Sequence, residues 1–319
     1  RRSRRQRQMC IRDSNYSMQK VLDYKFNDLE QLIEVVKGWD LDFRLIEPGG
    51  FTGHVTQLIS ADLLLSYARF GRGLNQMGST PPGYRTYVIP GRQCFGFWWR
   101  GHQVTSNDLL IFPDNNELCS VSRNDFEVFT VSLRHDYIEQ LSEKLAISTF
   151  QKGEVIPLES NRITELRDLA YQIMILPNSS NTDYAMHVLA RGLLLCQARF
   201  PTAKPVHARK RDLAIGRIVD YLNSDPGSES DMERLCQVAR VSERTLQYAF
   251  RERYGITPNA FIKRWKLNSA RQILTQSYIS TKSVAEVCTH LGFQHLSLFA
   301  QDYKYLFNEL PSQTLARKK

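Results

Sequence analysis

The sequence predicts a two-domain chain. A strand-rich antiparallel β-barrel or sandwich with trailing helices comes first, then an all-α unit carrying two helix-turn-helix motifs. Three observations support this. Short β-rich segments broken by Gly and Pro fill residues 40–134, the C-terminal third repeats one helical pattern, and the basic charge sits on that repeat. Residues 207–319 hold 18 Lys/Arg against 11 Asp/Glu, whereas residues 14–206 hold 18 against 21.

The first thirteen residues stand apart. Arg1–Asp13 contain six Arg and one Asp, at face value a basic arm for DNA. The string Arg4 to Asp13, however, resembles the translation of a sequencing adapter joined to a reading frame. We therefore expect residues 1–13 to be a disordered leader of that origin, with the natural N-terminus missing or replaced, and set them aside. The leader's six Arg and one Asp account for five of the net +9, leaving +4.

Residues 14–200 form the expected first domain. Strand candidates are His54–Ser60, Leu63–Phe70, Tyr84–Ile89, Phe95–Trp99, Leu109–Phe112, Leu118–Val121 and Glu127–Leu133, punctuated by Pro48-Gly49-Gly50, Pro81-Pro82-Gly83, Pro90-Gly91 and Pro113-Asp114-Asn115. Such short, evenly spaced strands suit a small antiparallel barrel or sandwich. Helical stretches follow near Tyr137–Leu145, Ile163–Ile175 and Asp183–Arg199. The histidines His54, His102 and His135 are isolated, with no HxH and no Glu spaced as a further ligand. No nucleophile and base share a motif either. Neither an enzyme nor a metal or other cofactor is expected, although a small-molecule effector is. Its candidate pocket residues are Phe95, Trp98, Trp99, Arg100 and His102, since Phe95, Phe97, Trp98 and Trp99 make an unusually aromatic strand. That strand reads either as half core and half surface or as a pocket wall with a polar group fixing orientation.

Residues 201–211 read as a linker, opening on Pro201-Thr202-Ala203-Lys204-Pro205 and closing on Arg209-Lys210-Arg211. The basic triplet suits either solvent or DNA backbone. Residues 212–319 then carry the repeat. Cys236 matches Cys288 at an offset of 52, and Leu246, Phe250, Tyr254 and Pro258 match Phe299, Tyr303, Phe307 and Pro311 at 53. Each copy has a short helix with a small residue, a turn with an apolar plug (Val241, Phe293), and a second helix whose apolar stripe is buried. Ser242 suits the helix cap, Gly255 a left-handed stop, and Thr257-Pro258 the start of a connecting helix running to about Leu274. Phe261, Trp265 and Ala270 would pack that helix inward.

These strings carry a resemblance. Val241-Ser242-Glu243-Arg244-Thr245-Leu246, Tyr254-Gly255-Ile256-Thr257-Pro258, Leu291-Gly292-Phe293 and Leu310-Pro311-Ser312 resemble the DNA-binding domain of AraC/XylS-type transcription regulators across residues 210–316. Asn308 stands where that family usually has Gly, and tolerates the same left-handed conformation. Cys236 and Cys288 stand in place of the commoner Ala. The strings Val238 to Gln247 and Gly292 to Tyr303 are similar to the ethanolamine-operon regulators, a subgroup associated with ethanolamine and adenosylcobalamin. They lie in the DNA-binding half and transfer no ligand. A cupin-like effector domain ahead of the helices is what the family resemblance implies for residues 14–200.

The resemblance implies a sequence-specific regulator, more often an activator, with double-stranded DNA, RNA polymerase and a small-molecule effector as partners. Each second helix would enter the major groove, the two about 34 Å apart. Arg244, Gln247, Tyr248, His295, Leu296, Ser297 and Gln301 are the candidates for base edges, and Ser242, Arg251, Lys263, Arg264 and Lys304 for backbone. A homodimer through Asp183–Arg199 is expected, and the scattered cysteines suit a reducing cytoplasm. No apolar run is long enough to span a bilayer. The alternative is a small-molecule-binding or enzymatic cupin-like protein whose helical tail mediates protein contacts.

Overall fold

The computed structural model describes residues 20–36, 39–112, 117–148, 154–177, 181–199, 209–276 and 283–317. The leader and linker residues 201–208 lie outside the described residues.

Among the described residues, twelve strands form two antiparallel sheets. The larger runs β1 (Lys20–Phe26), β3 (Gly53–Ile59), β4 (Leu63–Phe70), β11 (Phe126–Arg134), β6 (Tyr84–Pro90), β9 (Asp108–Ile111) and β12 (Glu154–Pro157) in that spatial order. The smaller runs β2 (Asp40–Leu45), β5 (Leu74–Ser79), β10 (Glu117–Val121), β7 (Trp98–Trp99) and β8 (His102–Gln103). Alternation sends half of each strand inward, so Phe43, Leu74, Val88, Leu118 and Val128 meet between the sheets. A short helix α1 (Leu29–Val35), capped by Asp28, lies between β1 and β2.

The expected strands are present except that Phe95–Trp99 narrows to Trp98–Trp99, because Gly96 and the neighbouring residues form a turn. Five strands and α1 carry no clear signal in the sequence. β5 (LNQMGS) lacks the branched and aromatic residues that mark strands and contains Gly78. Gly78 is needed there: at φ 146°, an added Cβ would stand 1.9 Å from the Asp40 carbonyl oxygen on β2.

The outer face of the larger sheet is covered by α2 (His135–Leu145), α3 (Ser160–Ile175) and α4 (Thr182–Ala198), whose Ile163, Leu166, Leu189 and Leu193 close a second core with Tyr87, Phe129 and Val131. The outer face of the smaller sheet receives the C-terminal helices. These are α5 (Lys210–Ser224), α6 (Met232–Ala239), α7 (Glu243–Tyr254), α8 (Pro258–Thr275), α9 (Val284–His290), α10 (Leu296–Phe307) and α11 (Pro311–Ala316). Ile46, Trp98 and Val121 share one buried cluster with Ile218, Leu246, Phe250 and Trp265. The helical unit and the sheet are therefore packed surface to surface, with α8 along the free edge of β2.

Candidate nucleic-acid interface

The two helix pairs α6–α7 and α9–α10 are built alike up to their turns. In the first, Arg240 takes the left-handed conformation (φ 56°), and the Val241 amide donates to the Cys236 carbonyl. In the second, Gly292 takes it (φ 73°), and the Phe293 amide donates to the Cys288 carbonyl. The offset is still 52 at both bonds. It becomes 53 at the caps, Ser242 and His295, so the inserted residue is Gln294. Ser242 accepts from the Thr245 amide at 3.4 Å, while His295 makes no side-chain cap bond. Asn308 ends α10 at φ 59° as Gly255 ends α7 at 69°.

On α7, Leu246, Ala249, Phe250, Arg253 and Tyr254 are buried, leaving Arg244, Tyr248 and Arg251 on the opposite face. Gln247 is half-buried, and its Oε1 is enclosed without a hydrogen-bond partner. On α10, Phe299, Tyr303 and Leu306 are buried, leaving Ser297, Gln301 and Lys304 outside at positions equivalent to Arg244, Tyr248 and Arg251. His295 and Leu296 are exposed at the start of that helix. The buried stripes match, and the exposed faces differ.

The structure adds neighbours to the first face. The start of α5 runs beside α7, where Arg209 and Arg211 pair with Glu252 at 3.6 and 3.1 Å. The Arg211 and Arg244 guanidiniums lie 6.0 and 5.7 Å from the Tyr248 ring centre, within cation–π reach. The basic triplet thus belongs to this surface. On α10, Leu298 and Tyr305 are also exposed. Their exposure follows from the helix rotation and could have been found from the same periodicity.

The expected backbone contacts Lys263 and Arg264 part from each other. Lys263 is exposed and pairs with Asp302 of α10 at 3.1 Å. Arg264 turns inward and donates to the Ile46 carbonyl of the first domain, so it ties the domains together and does not face outward with the readers.

The aromatic strand also divides differently from expectation. A cavity lies between the two sheets. Trp99 lines it, together with Phe97, while Trp98 faces the other side of the sheet beneath the Arg253 guanidinium, 5.7 Å away. Phe95 is 95% exposed, Arg100 follows in a turn at φ 46°, and His102 opens β8. Neither Arg100 nor His102 lines the cavity. The sequence reading missed Phe43 and Gln76 of the cavity wall, because β2 and β5 carry weak strand signals, and also Ser120 on the expected β10. Among the described residues no three His, Cys, Asp or Glu side chains converge as metal ligands would.

Two unlike, exposed, basic or polar helix faces on one duplicated scaffold define a double helix-turn-helix protein joined to a β-sheet domain. A family model described as a helix-turn-helix domain matches residues 235–317. The XylDLEGF operon transcriptional activator 3 of Pseudomonas putida is 35% identical over 263 residues, covering 75% of this chain and 76% of that protein. The chain belongs to the AraC/XylS family of transcription regulators. A further XylDLEGF operon transcriptional activator of that organism is 35% identical over 103 residues, 32% of each chain, so the match spans about a third of that relative. A solved probable AraC family transcriptional regulator from Rhodopseudomonas palustris is 30% identical, covering 33% of this chain and 97% of its own, with a TM-score of 0.31.

Proposed function

We propose that the chain is a sequence-specific transcription activator that reads an asymmetric DNA site with α7 and α10 in successive major grooves, under control of a small molecule held between its two sheets. The observation that carries this reading is the contrast between matched buried stripes and unlike exposed faces. α8, 18 residues long and so about 27 Å from end to end, separates the two readers by a length close to one turn of DNA.

RNA polymerase is the proposed protein partner, and the cytoplasm the proposed compartment. Among the described residues no helix is long and apolar enough to cross a membrane. A homodimer is proposed through α4, whose Tyr184 and Val188 are exposed, as are Ile175 and Leu176 at the end of α3. The resemblance to ethanolamine-operon regulators bears on the DNA site alone, since its strings lie in the DNA-binding half.

Selection of bound duplexes from a randomised pool by the full chain tests the reading. The expected product is one non-palindromic consensus, in which single base-pair changes each cost about 1–3 kcal/mol. Uniform retention of all sequences would instead indicate an architectural DNA-bending protein, and no salt-dependent retention a protein-contact role for the helices.

A further inference from the structure

We propose that the cavity between the sheets takes an uncharged, planar aromatic molecule bearing a hydrogen-bond acceptor, and that Gln76 reads that acceptor. The proposal rests on the regulator reading above and names the chemical class of its effector.

The walls set the shape. Trp99 and Phe112 meet edge to face with ring centres 4.3 Å apart, Trp39 meets Phe112 at 5.6 Å and 79°, and Phe97 meets Phe126 at 4.7 Å. Ring edges and faces arranged this way accept another flat ring in offset or edge-on contact. The walls also set the charge. Among the described residues none of those lining the cavity is ionisable as an acid or a base of ordinary pKa near neutrality. A carboxylate or ammonium placed against these residues would lose its hydration and gain no opposite charge from them.

One polar group points to a ligand. Gln76 is 91% buried (9% exposed), and its Nε2 is enclosed without a hydrogen-bond partner, whereas Gln57 Nε2, also on the wall, already donates to Ser66 Oγ at 3.3 Å. A buried donor left unpaired is costly, so an acceptor placed against it is favoured. A ketone, ester, ether or amide oxygen on the ring supplies one.

The position of Gln76 also says how occupancy reaches the DNA-binding half. Phe43, Gln76 and Ser120 form one row across β2, β5 and β10 facing the cavity. The adjacent row, Arg44, Asn75 and Val121, faces the helices. There Arg44 lies 3.8 Å over the Trp265 ring, and Asn75 Oδ1 accepts from the Tyr254 hydroxyl at 3.2 Å. A ligand that draws on Gln76 therefore acts on the residue next to the one that holds the end of α7.

Three nearly isosteric probes test this on the full chain by calorimetric melting: acetophenone (neutral, with acceptor), α-methylstyrene (neutral, without one) and benzoate (anionic). Acetophenone should raise Tm most, α-methylstyrene less, and benzoate not at all. In Gln76→Leu the two neutral probes should become equal, and the wild-type ranking stands by itself if that variant does not fold. Benzoate matching or exceeding acetophenone would overturn the proposal, as would no shift with any probe, which would make the cavity a packing void. Retention of the selected DNA site is measured on the same sample without probe. Specific retention with the wrong probe ranking sinks the ligand class alone, whereas loss of specific retention sinks the regulator reading.

Discussion

Asn268 meets Leu45 as a neighbouring strand would: its Nδ2 donates to the Leu45 carbonyl at 2.9 Å, and its Oδ1 accepts from the Leu45 amide at 2.8 Å. β2 is the edge of its sheet, and an edge strand has backbone groups in need of partners. One side chain of α8 supplies two of them from the other domain. Asn268→Leu should leave both backbone groups buried and unpaired, at about 1–3 kcal/mol each. Urea unfolding of the full chain reads this, and a loss under about 0.5 kcal/mol, typical of a surface change, would contradict it.

Arg271, three residues along α8, is buried among carboxylates: Glu30 at 2.6 Å, Glu309 at 2.5 Å and Asp28 at 3.6 Å. Removing the cation alone strands these charges, so Arg271→Met should cost about 3–5 kcal/mol. Burial already pushes the Glu30 carboxyl above its ordinary pKa. Without Arg271 it should rise further. A carboxyl whose pKa is higher folded than unfolded binds its proton first in the folded state, so the variant should gain stability as pH falls from neutrality through that raised pKa. Paired melts of wild type and variant across this range would show the gap narrowing with acid, and a constant gap would refute the charge argument.

Arg244 and Arg251 share the outer face of α7 but differ in expected role. Arg244→Ala should cost on the order of 1–3 kcal/mol at one base pair and relax selectivity there. Arg251→Ala should weaken all sequences alike and lower the salt slope. Identical profiles of the two variants across a randomised library would remove the distinction.

Arg211 now sits beside that face through Glu252 and Tyr248. If it neutralises one phosphate, Arg211→Ala should reduce the slope of log K against log salt by about 0.9. Glu252→Gln should move affinity the opposite way by releasing two arginines toward DNA. Gel shifts at several salt concentrations measure both, and an unchanged slope in Arg211→Ala would return the triplet to solvent.

The paired turns offer a backbone test. Arg240 holds a left-handed conformation that costs a non-glycine residue roughly 1–2 kcal/mol, while Gly292 holds its counterpart without that cost. Arg240→Gly should therefore raise stability and Gly292→Ala should lower it, each by about 1 kcal/mol. Thermal melts showing the same sign for both would be inconsistent with the shared geometry.

Much of the helical half was legible because its information is local. Ser242, Gly255, Thr257 and Pro258 each declare a boundary by their own chemistry, and the four-residue stripe declares the buried face. The domain contact was not legible. Arg44, Asn75, Asn268 and Arg271 look like ordinary polar residues in the sequence, and only the packing of the helices on the first domain gives them their partners. Arg264 illustrates the difference. A basic residue on a helix between two DNA readers suggests phosphate, yet one helical turn decides whether it meets DNA or the Ile46 carbonyl. The cavity was hidden for a related reason, since its reading group lies on β5, a strand with little strand character of its own.

The exposed faces of α7 and α10 have a consequence for direction. A dimer with a two-fold axis looks the same from either end of its operator. A single chain presenting Arg244, Tyr248 and Arg251 at one end and Ser297, Gln301 and Lys304 at the other has a head and a tail. Reversing the site would leave its spacing intact and turn the whole sheet domain to face upstream instead of downstream. Bound to DNA, the molecule is an arrow, and a promoter could be switched by inverting its site without altering a single contact.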